Sequence, residues 1–174
     1  MPESGFEMSV REFLARPPFF YRNIKKEHLE LFSAALTHDS YAYEAADGDP
    51  PRAVESYERL EFLGDAVLEL AVCEYVYSST DLREGKMTDF KQSRVSNHMI
   101  SERILSYGLD IDSRMRVGNG HVSDGKNRIE ENMRSDSFEA LLGAIYVSYG
   151  LDESKRIINE IILHDKCNYY QQST

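Results

Sequence analysis

The run Glu58-Arg-Leu-Glu-Phe-Leu-Gly-Asp-Ala-Val-Leu68 constrains this chain more than any other stretch. Read as a helix, it sets Glu58, Glu61 and Asp65 at i, i+3 and i+7, so at about 100° per residue the three carboxylates share one narrow face. Leu60, Leu63, Val67, Leu70 and Ala71 fall on the opposite arc, which predicts their burial against a core. Phe62 lies near the acidic edge rather than in the middle of that arc, and a large aromatic there wants a partner surface. Gly64 inside the helix costs about 1 kcal/mol relative to Ala, which predicts close approach of another backbone. An ordinary solvated face alternates its signs to gain i,i+4 ion pairs. Here only Arg59 interrupts the acids, and it projects about 100° away from them. Glu69 extends the stripe by a turn and reads as ordinary solvated charge. Stacked carboxylates repel, so the stripe calls for a cation to offset it.

A second acidic stripe follows. Asp136 and Glu139 form an i,i+3 pair in Arg134-Ser-Asp-Ser-Phe-Glu-Ala-Leu-Leu-Gly-Ala-Ile-Tyr146, with Phe138, Leu141, Leu142 and Ile145 on the apolar side. Two such stripes on separate apolar helices match the inward-projecting carboxylates with which helical bundles hold metal ions. Mg²⁺ takes oxygen ligands, keeps several waters and binds through a few carboxylates plus a substrate phosphate. The residue types fit that ion and fit zinc, with its Cys and His ligands, poorly. If the two stripes face each other, the chain carries a site for metal-dependent phosphoryl transfer.

The rest of the chain reads as helical. Residues 9–15 predict a short helix stopped by Pro17-Pro18, and residues 27–37 an amphipathic one with Leu29, Phe32, Ala35 and Leu36 inward. The acidic-stripe helix starts near residues 54–57, after the turn-rich Asp47-Gly-Asp-Pro-Pro51, and runs to about Tyr77. Residues 87–107 predict one helix closed by Gly108, and 117–132, polar and glycine-bearing, are loop at least in part. A helix over about 132–149 is capped by Gly150, and a last one runs from Asp152 as N-cap to about His164. With no strand pattern, repeat or low-complexity tract, the fold class is all-α. The 174 residues suffice for one domain with a sizeable core. No apolar run approaches a membrane span, and the N-terminus has no signal-peptide hydrophobic stretch, so no membrane partner is expected. Cys73 and Cys167 lie far apart, and Cys73 reads as a small buried hydrophobe, which suits a reducing, cytoplasmic location.

At these residues the chain resembles the ribonuclease III nuclease domain. Glu58 to Leu68 reproduces that family's E-R-L-E-F-L-G-D-A-V-L signature residue for residue. Asp136 to Gly143 matches its second motif, an acid, two residues, then E-A-L-[LI]-G. Glu84-Gly-Lys-Met-Thr88 is similar to its E-G-x-M-[ST] segment and Thr37-His-Asp-Ser40 to its T-H-x-S element, and the order and separations agree over about residues 20–165. The resemblance implies a helical endonuclease fold in which Glu61, Asp65, Asp136 and Glu139 hold Mg²⁺, with Mn²⁺ as a substitute. Asp65 and Glu139 are then also catalytic, as are Glu58 and Glu84, which occupy the acidic positions that help place the RNA strand. It implies that Phe62 enters a socket of an identical subunit. The expected activity is that of a homodimer cutting double-stranded RNA to 5′-phosphate and 3′-hydroxyl ends with short 3′ overhangs.

A net charge of −10 sits least easily with a nucleic-acid partner, since phosphate binding draws on Lys and Arg. Two stretches, residues 83–103 and 114–134, hold local clusters of basic residues, and Lys91, Arg94 and Lys126 are the expected phosphate contacts. After Cys167 only Asn-Tyr-Tyr-Gln-Gln-Ser-Thr remains, without room for the double-stranded RNA-binding domain usual in the family. A single nuclease domain over residues 1–174 is therefore expected. It would be a short enzyme resembling the mini-ribonuclease III group, a part of a longer protein, or a domain that draws RNA affinity from a separate RNA-binding domain or protein. Two rival functions stand beside it. One is a non-catalytic RNA-docking module of the same fold, against which the full set of acids argues. The other is an HD-type phosphohydrolase suggested by His38-Asp39, which lacks further histidine ligands at supporting spacings. His38 reads instead as a structural hydrogen-bonding residue near a helix end.

Overall fold

The structure is a computed structural model describing residues 4–164. Cys167 and the last residues of the chain, on which the expectation about a missing further domain rests, lie outside them. Among the described residues the elements run α1 (Gly5–Leu14), α2 (Lys26–Ala35), α3 (Asp39–Ala46), α4 (Glu58–Ser79), α5 (Glu84–Val95), α6 (Asn97–Tyr107), a short hairpin β1 (Val122–Ser123) and β2 (Lys126–Asn127), α7 (Glu131–Tyr149) and α8 (Leu151–Ile158). A wider helical turn, Asn159–Leu163, extends α8.

The core is organised around α7, whose residues from Met133 to Ile145 are buried almost without a break. Helices α2, α4, α6 and α8 pack around it, α4 most extensively. An amphipathic surface helix buries one stripe; α7 is enclosed on nearly all sides, so even Ser135, Ser137 and Glu139 lie inside. The buried Ser137 hydroxyl is satisfied by donating to the Ala35 carbonyl at 2.9 Å. Arg134 is held by Asp112 and by the Ser101 hydroxyl.

Local signals explain most boundaries. Ser4 and Glu7 form a capping box at the start of α1. His38 caps α3 by accepting from the Ser40 N–H at 3.1 Å, the structural role its position suggests. Gly108 and Gly150 end α6 and α7 at positive φ, +80° and +90°.

Five sequence expectations need correction. The helix expected over 87–107 is two: Ser96 is extended (φ −76°, ψ 144°) and its hydroxyl caps α6 by accepting from the Met99 N–H. A short hairpin stands within the stretch expected to be loop at least in part, where no strand pattern was read; Asp124 and Gly125 close it, both at positive φ as a tight antiparallel turn demands. The N-cap of α8 is Gly150, which places Asp152 inside the first turn. Leu70 is 53% exposed and Cys73 is exposed, because the buried stripe of α4 is Gly64, Val67, Leu68, Ala71, Val72 and Val76. That stripe is rotated from the leucine-rich arc toward the acids, so the carboxylates border the core instead of opposing it. Glu69 is not simple solvated charge: it accepts from the Lys91 ammonium at 3.1 Å.

Candidate metal centre

The crossing of α4 over α7 assembles the site. A Cβ on Gly64 would overlap the Glu139 carbonyl oxygen, and a Cβ on Gly143 would overlap that of Leu60. With no side chain at either position, the two backbones touch, as the glycine inside the acidic helix leads one to expect. The carboxylates beside the crossing are thereby drawn together. Glu61 of α4 and Asp136 and Glu139 of α7 each offer an oxygen, and the three atoms lie within 4.8 Å of one another. The facing of the two acidic stripes is thus a property of the fold.

The other expected site residues take graded positions around this trio. Asp65 is exposed, close enough to Glu139 that its charge is the largest neighbouring influence on that carboxyl. Glu58, exposed at the start of α4, sits beside the Ser56 hydroxyl at 3.4 Å and acts electrostatically on Glu61. Glu84 lies apart, at the start of α5, accepting from the Thr88 hydroxyl at 3.3 Å and lining a groove between α4 and α5. Phe62 is 83% exposed. Of the three basic residues, Lys126 is exposed on the hairpin, Lys91 is paired with Glu69, and Arg94 is buried with its guanidinium 5.1 Å over the Phe90 ring.

Electrostatics show why these residues suit a cation. Glu139 is only 5% exposed. Burial first, then the charges of Asp65, Asp136, Glu61 and Glu69, push its carboxyl up to about 8. Glu61 is raised by burial and then by Asp136, Glu58 and Asp65. Asp136 is raised by burial, an effect reduced by the Ser135 hydroxyl, which donates to it at 3.5 Å, and by the nearby Tyr57 hydroxyl. An all-carboxylate set of this kind could hold a hard divalent ion, whose charge would offset the repulsion.

A pH dependence follows. An acid whose folded pKa lies above its unfolded value leaves stability untouched below the unfolded pKa and lowers it as pH rises toward the folded pKa. Divalent-ion binding has the opposite slope, because a bound Glu139 must first lose its proton. Mn²⁺ affinity measured by calorimetry is expected to climb by up to roughly tenfold per unit between about pH 6 and about pH 8, then level off. A flat profile would remove Glu139 from the ligand set.

Sequence reasoning missed Tyr57, which faces Asp136; its signal was adjacency to Glu58, the first acid of the stripe. Among the described residues no helix is long and apolar enough to cross a membrane.

The family described as Ribonuclease-III-like matches residues 28–166. Ribonuclease 3 of Onion yellows phytoplasma is 35% identical over 141 residues, 81% of this chain and 56% of that protein. Ribonuclease 3 of Ligilactobacillus salivarius is 34% identical over 163 residues, 93% of this chain and 64% of its own length. The chain therefore spans from about half to just under two thirds of these curated relatives. Among solved structures, a ribonuclease III nuclease domain from Campylobacter jejuni, described for structural flexibility in a region involved in dimer formation, superposes with a TM-score of 0.66 at 26% identity. That likeness covers 90% of this chain and 93% of the other.

Proposed function

Because the chain belongs to the ribonuclease-III-like family, we propose that it is a Mg²⁺-dependent endoribonuclease of double-stranded RNA. It acts as a homodimer and leaves 5′-phosphate and 3′-hydroxyl ends with short 3′ overhangs. The observation that carries this reading is the convergence of Glu61, Asp136 and Glu139 from two crossing helices. Glu61, Asp65, Asp136 and Glu139 are the ligands, for Mg²⁺ or in its place Mn²⁺. When bound, such an ion supplies an activated water and charge stabilisation at the scissile phosphate. Asp65, on the exposed side of the cluster, faces the approaching strand, while Glu139 anchors the buried side. Glu58, beside the cluster at the start of α4, and Glu84, set apart from it at the start of α5, orient the strand. No side chain is needed as nucleophile.

The homodimer is supported by the outer face of α4. Phe62, Leu70 and Tyr77 stand 83%, 53% and 77% exposed along it, beside a groove of about 470 Å³ that Leu70, Val76, Tyr77 and Met87 help to line. Apolar side chains gathered in this way mark a contact surface. Phe62→Ala is expected to weaken the dimer by about 2 kcal/mol or more, as loss of a buried aromatic anchor does. Sedimentation should show monomer at concentrations where the parent is dimeric; an unchanged profile would refute the anchor.

For RNA contact, Lys126 is the best placed of the three basic residues, being exposed on the hairpin. Lys91 would first have to leave Glu69, and Arg94 serves packing over Phe90. With few exposed contacts, RNA affinity draws on a separate RNA-binding domain or protein, and a cytoplasmic location suits the exposed Cys73. The docking-module alternative is disfavoured by Glu139: a module that only docks gains nothing from a like-charged carboxylate cluster that opposes folding at neutral pH. The reading is tested by offering the protein a long RNA duplex and the matching single strands with Mg²⁺. Staggered cutting of the duplex to 5′-phosphate products is expected, and equal attack on the single strands would overturn the substrate class.

A further inference from the structure

The stretch that joins α1 to α2 carries charge of the opposite sign to the chain as a whole. From Arg11 to Lys26 it holds five basic residues, Arg11, Arg16, Arg22, Lys25 and Lys26, against one acid, Glu12, in a chain of net charge −10. Glu12 lies 3.9 Å from Arg114, and Arg11 donates to the Ile24 carbonyl at 2.9 Å. Arg16, Arg22 and Lys25 are exposed and have no acidic partner among the described residues. Phe20 stands among them, 57% exposed and at a φ of 59°.

A bulky side chain rarely adopts that left-handed backbone, and an exposed ring gains nothing from the core. The turn itself is closed by backbone: the N–H groups of Phe19 and Phe20 both donate to the Arg16 carbonyl, at 3.0 and 3.1 Å. Its neighbours pin it to the fold. Phe19 is buried against Phe13 with ring centroids 5.3 Å apart, Arg156 donates to the Pro18 carbonyl at 3.0 Å, and the Tyr21 hydroxyl donates to Glu153 at 2.7 Å. Phe20 is therefore held outward on a fixed loop, at a position where glycine would serve the turn without strain. Tyr21 packs on Tyr149, with centroids 4.7 Å apart. From Glu139 to Tyr149 along α7 is about 15 Å at the helical rise, so the loop lies outside the carboxylate cluster.

We propose that this loop binds single-stranded RNA adjoining the duplex, Phe20 stacking on an unpaired base while Arg16, Arg22 and Lys25 neutralise the phosphates on either side. Cations beside an aromatic platform hold single strands without reading their sequence. A duplex keeps its base faces stacked, so the ring requires an unpaired nucleotide. An anionic lipid surface would also meet the charge, but a single fixed aromatic offers it little apolar area. The assignment rests on the nuclease reading above and names a part of the substrate that the metal centre does not touch.

Two labelled probes test it: a blunt RNA duplex and the same duplex with a single-stranded 3′ extension, each titrated with the protein in chelator so that cutting does not intervene. The extended probe is expected to bind more tightly. Phe20→Gly should lower its affinity by about tenfold, the scale of one base stacked on an aromatic ring. The same variant should melt at a higher temperature, because glycine relieves the positive φ; a purely structural role would move the melting temperature the other way. Arg16→Gln, Arg22→Gln and Lys25→Gln combined should make the log–log salt dependence of the extended probe shallower by about 2. Equal affinity of the parent for both probes would overturn the proposal, as would parent-like binding of the extended probe by Phe20→Gly. So would variants that lose binding to phosphatidylserine vesicles while keeping all their RNA affinity. Staggered cutting of the blunt duplex with Mg²⁺, alongside equal affinity for the two probes, would leave the nuclease reading standing and remove this site. Extension-dependent binding by a protein that cuts no duplex would do the reverse.

Discussion

Replacing Glu139 by Gln is expected to reduce duplex-RNA cleavage by at least about a thousandfold while making the metal-free protein more stable. The two effects share one cause. Glu139 is the most buried carboxylate of the cluster, and burial with four neighbouring acids drives its carboxyl up to about 8. Gln keeps the shape and removes the charge, so the repulsion disappears together with the ligand. The sign is fixed by the direction of the shift. Below the ordinary carboxylate range both the folded and unfolded chains hold the Glu139 proton, and the variant gains nothing. Above about pH 8 the parent must bury the charge, and there the stabilisation should be full. Thermal melts in chelator at low and high pH measure it; a variant less stable than the parent at high pH would mean that Glu139 holds the fold together.

Gly64→Ala is expected to be among the most damaging substitutions in the chain. In an ordinary helix interior the change stabilises by about 1 kcal/mol. Here the added methyl would overlap the Glu139 carbonyl, and its Gly143 counterpart would overlap that of Leu60. Because the obstacles are backbone atoms of a packed helix, no rotamer change relieves them. A loss of roughly 3 kcal/mol or more is expected, at or beyond the usual range for overpacking. The separation of α4 from α7 would also pull Glu61 away from Asp136 and Glu139, so metal affinity should fall with stability. Urea denaturation decides the matter, and a Gly64→Ala protein as stable as the parent would contradict the close crossing.

Much of the site was readable in the sequence because helical spacing is a strong signal. The i, i+3, i+7 acids and the i, i+3 pair fix which residues share a face, and Gly64 marks where a second backbone must pass. Direction relative to the core was less legible. Leu70 and Leu63 outweigh Gly64 and Ala71 in hydrophobicity, yet the small residues allow the closest approach and therefore set the buried stripe. Leu70 and Cys73 consequently face outward. The break at Ser96 was hidden inside a continuous helical pattern, since serine both continues a helix and caps one. The hairpin carried its signal in Asp124-Gly125, although its strands are too short for any alternation to show. The placement of Glu84 away from the trio and the pairing of Lys91 with Glu69 depend on how α5 docks, which local pattern does not encode.

The most direct measurement is a Mg²⁺ titration of RNA-duplex cutting by the chelator-stripped protein, run beside Glu139→Gln. Cutting that is absent in chelator, appears with Mg²⁺, yields 5′-phosphate ends and is lost in the variant is the predicted result. Cutting that persists in chelator or in Glu139→Gln, or no cutting at any Mg²⁺ concentration by a folded dimer, would contradict a carboxylate-held metal nuclease.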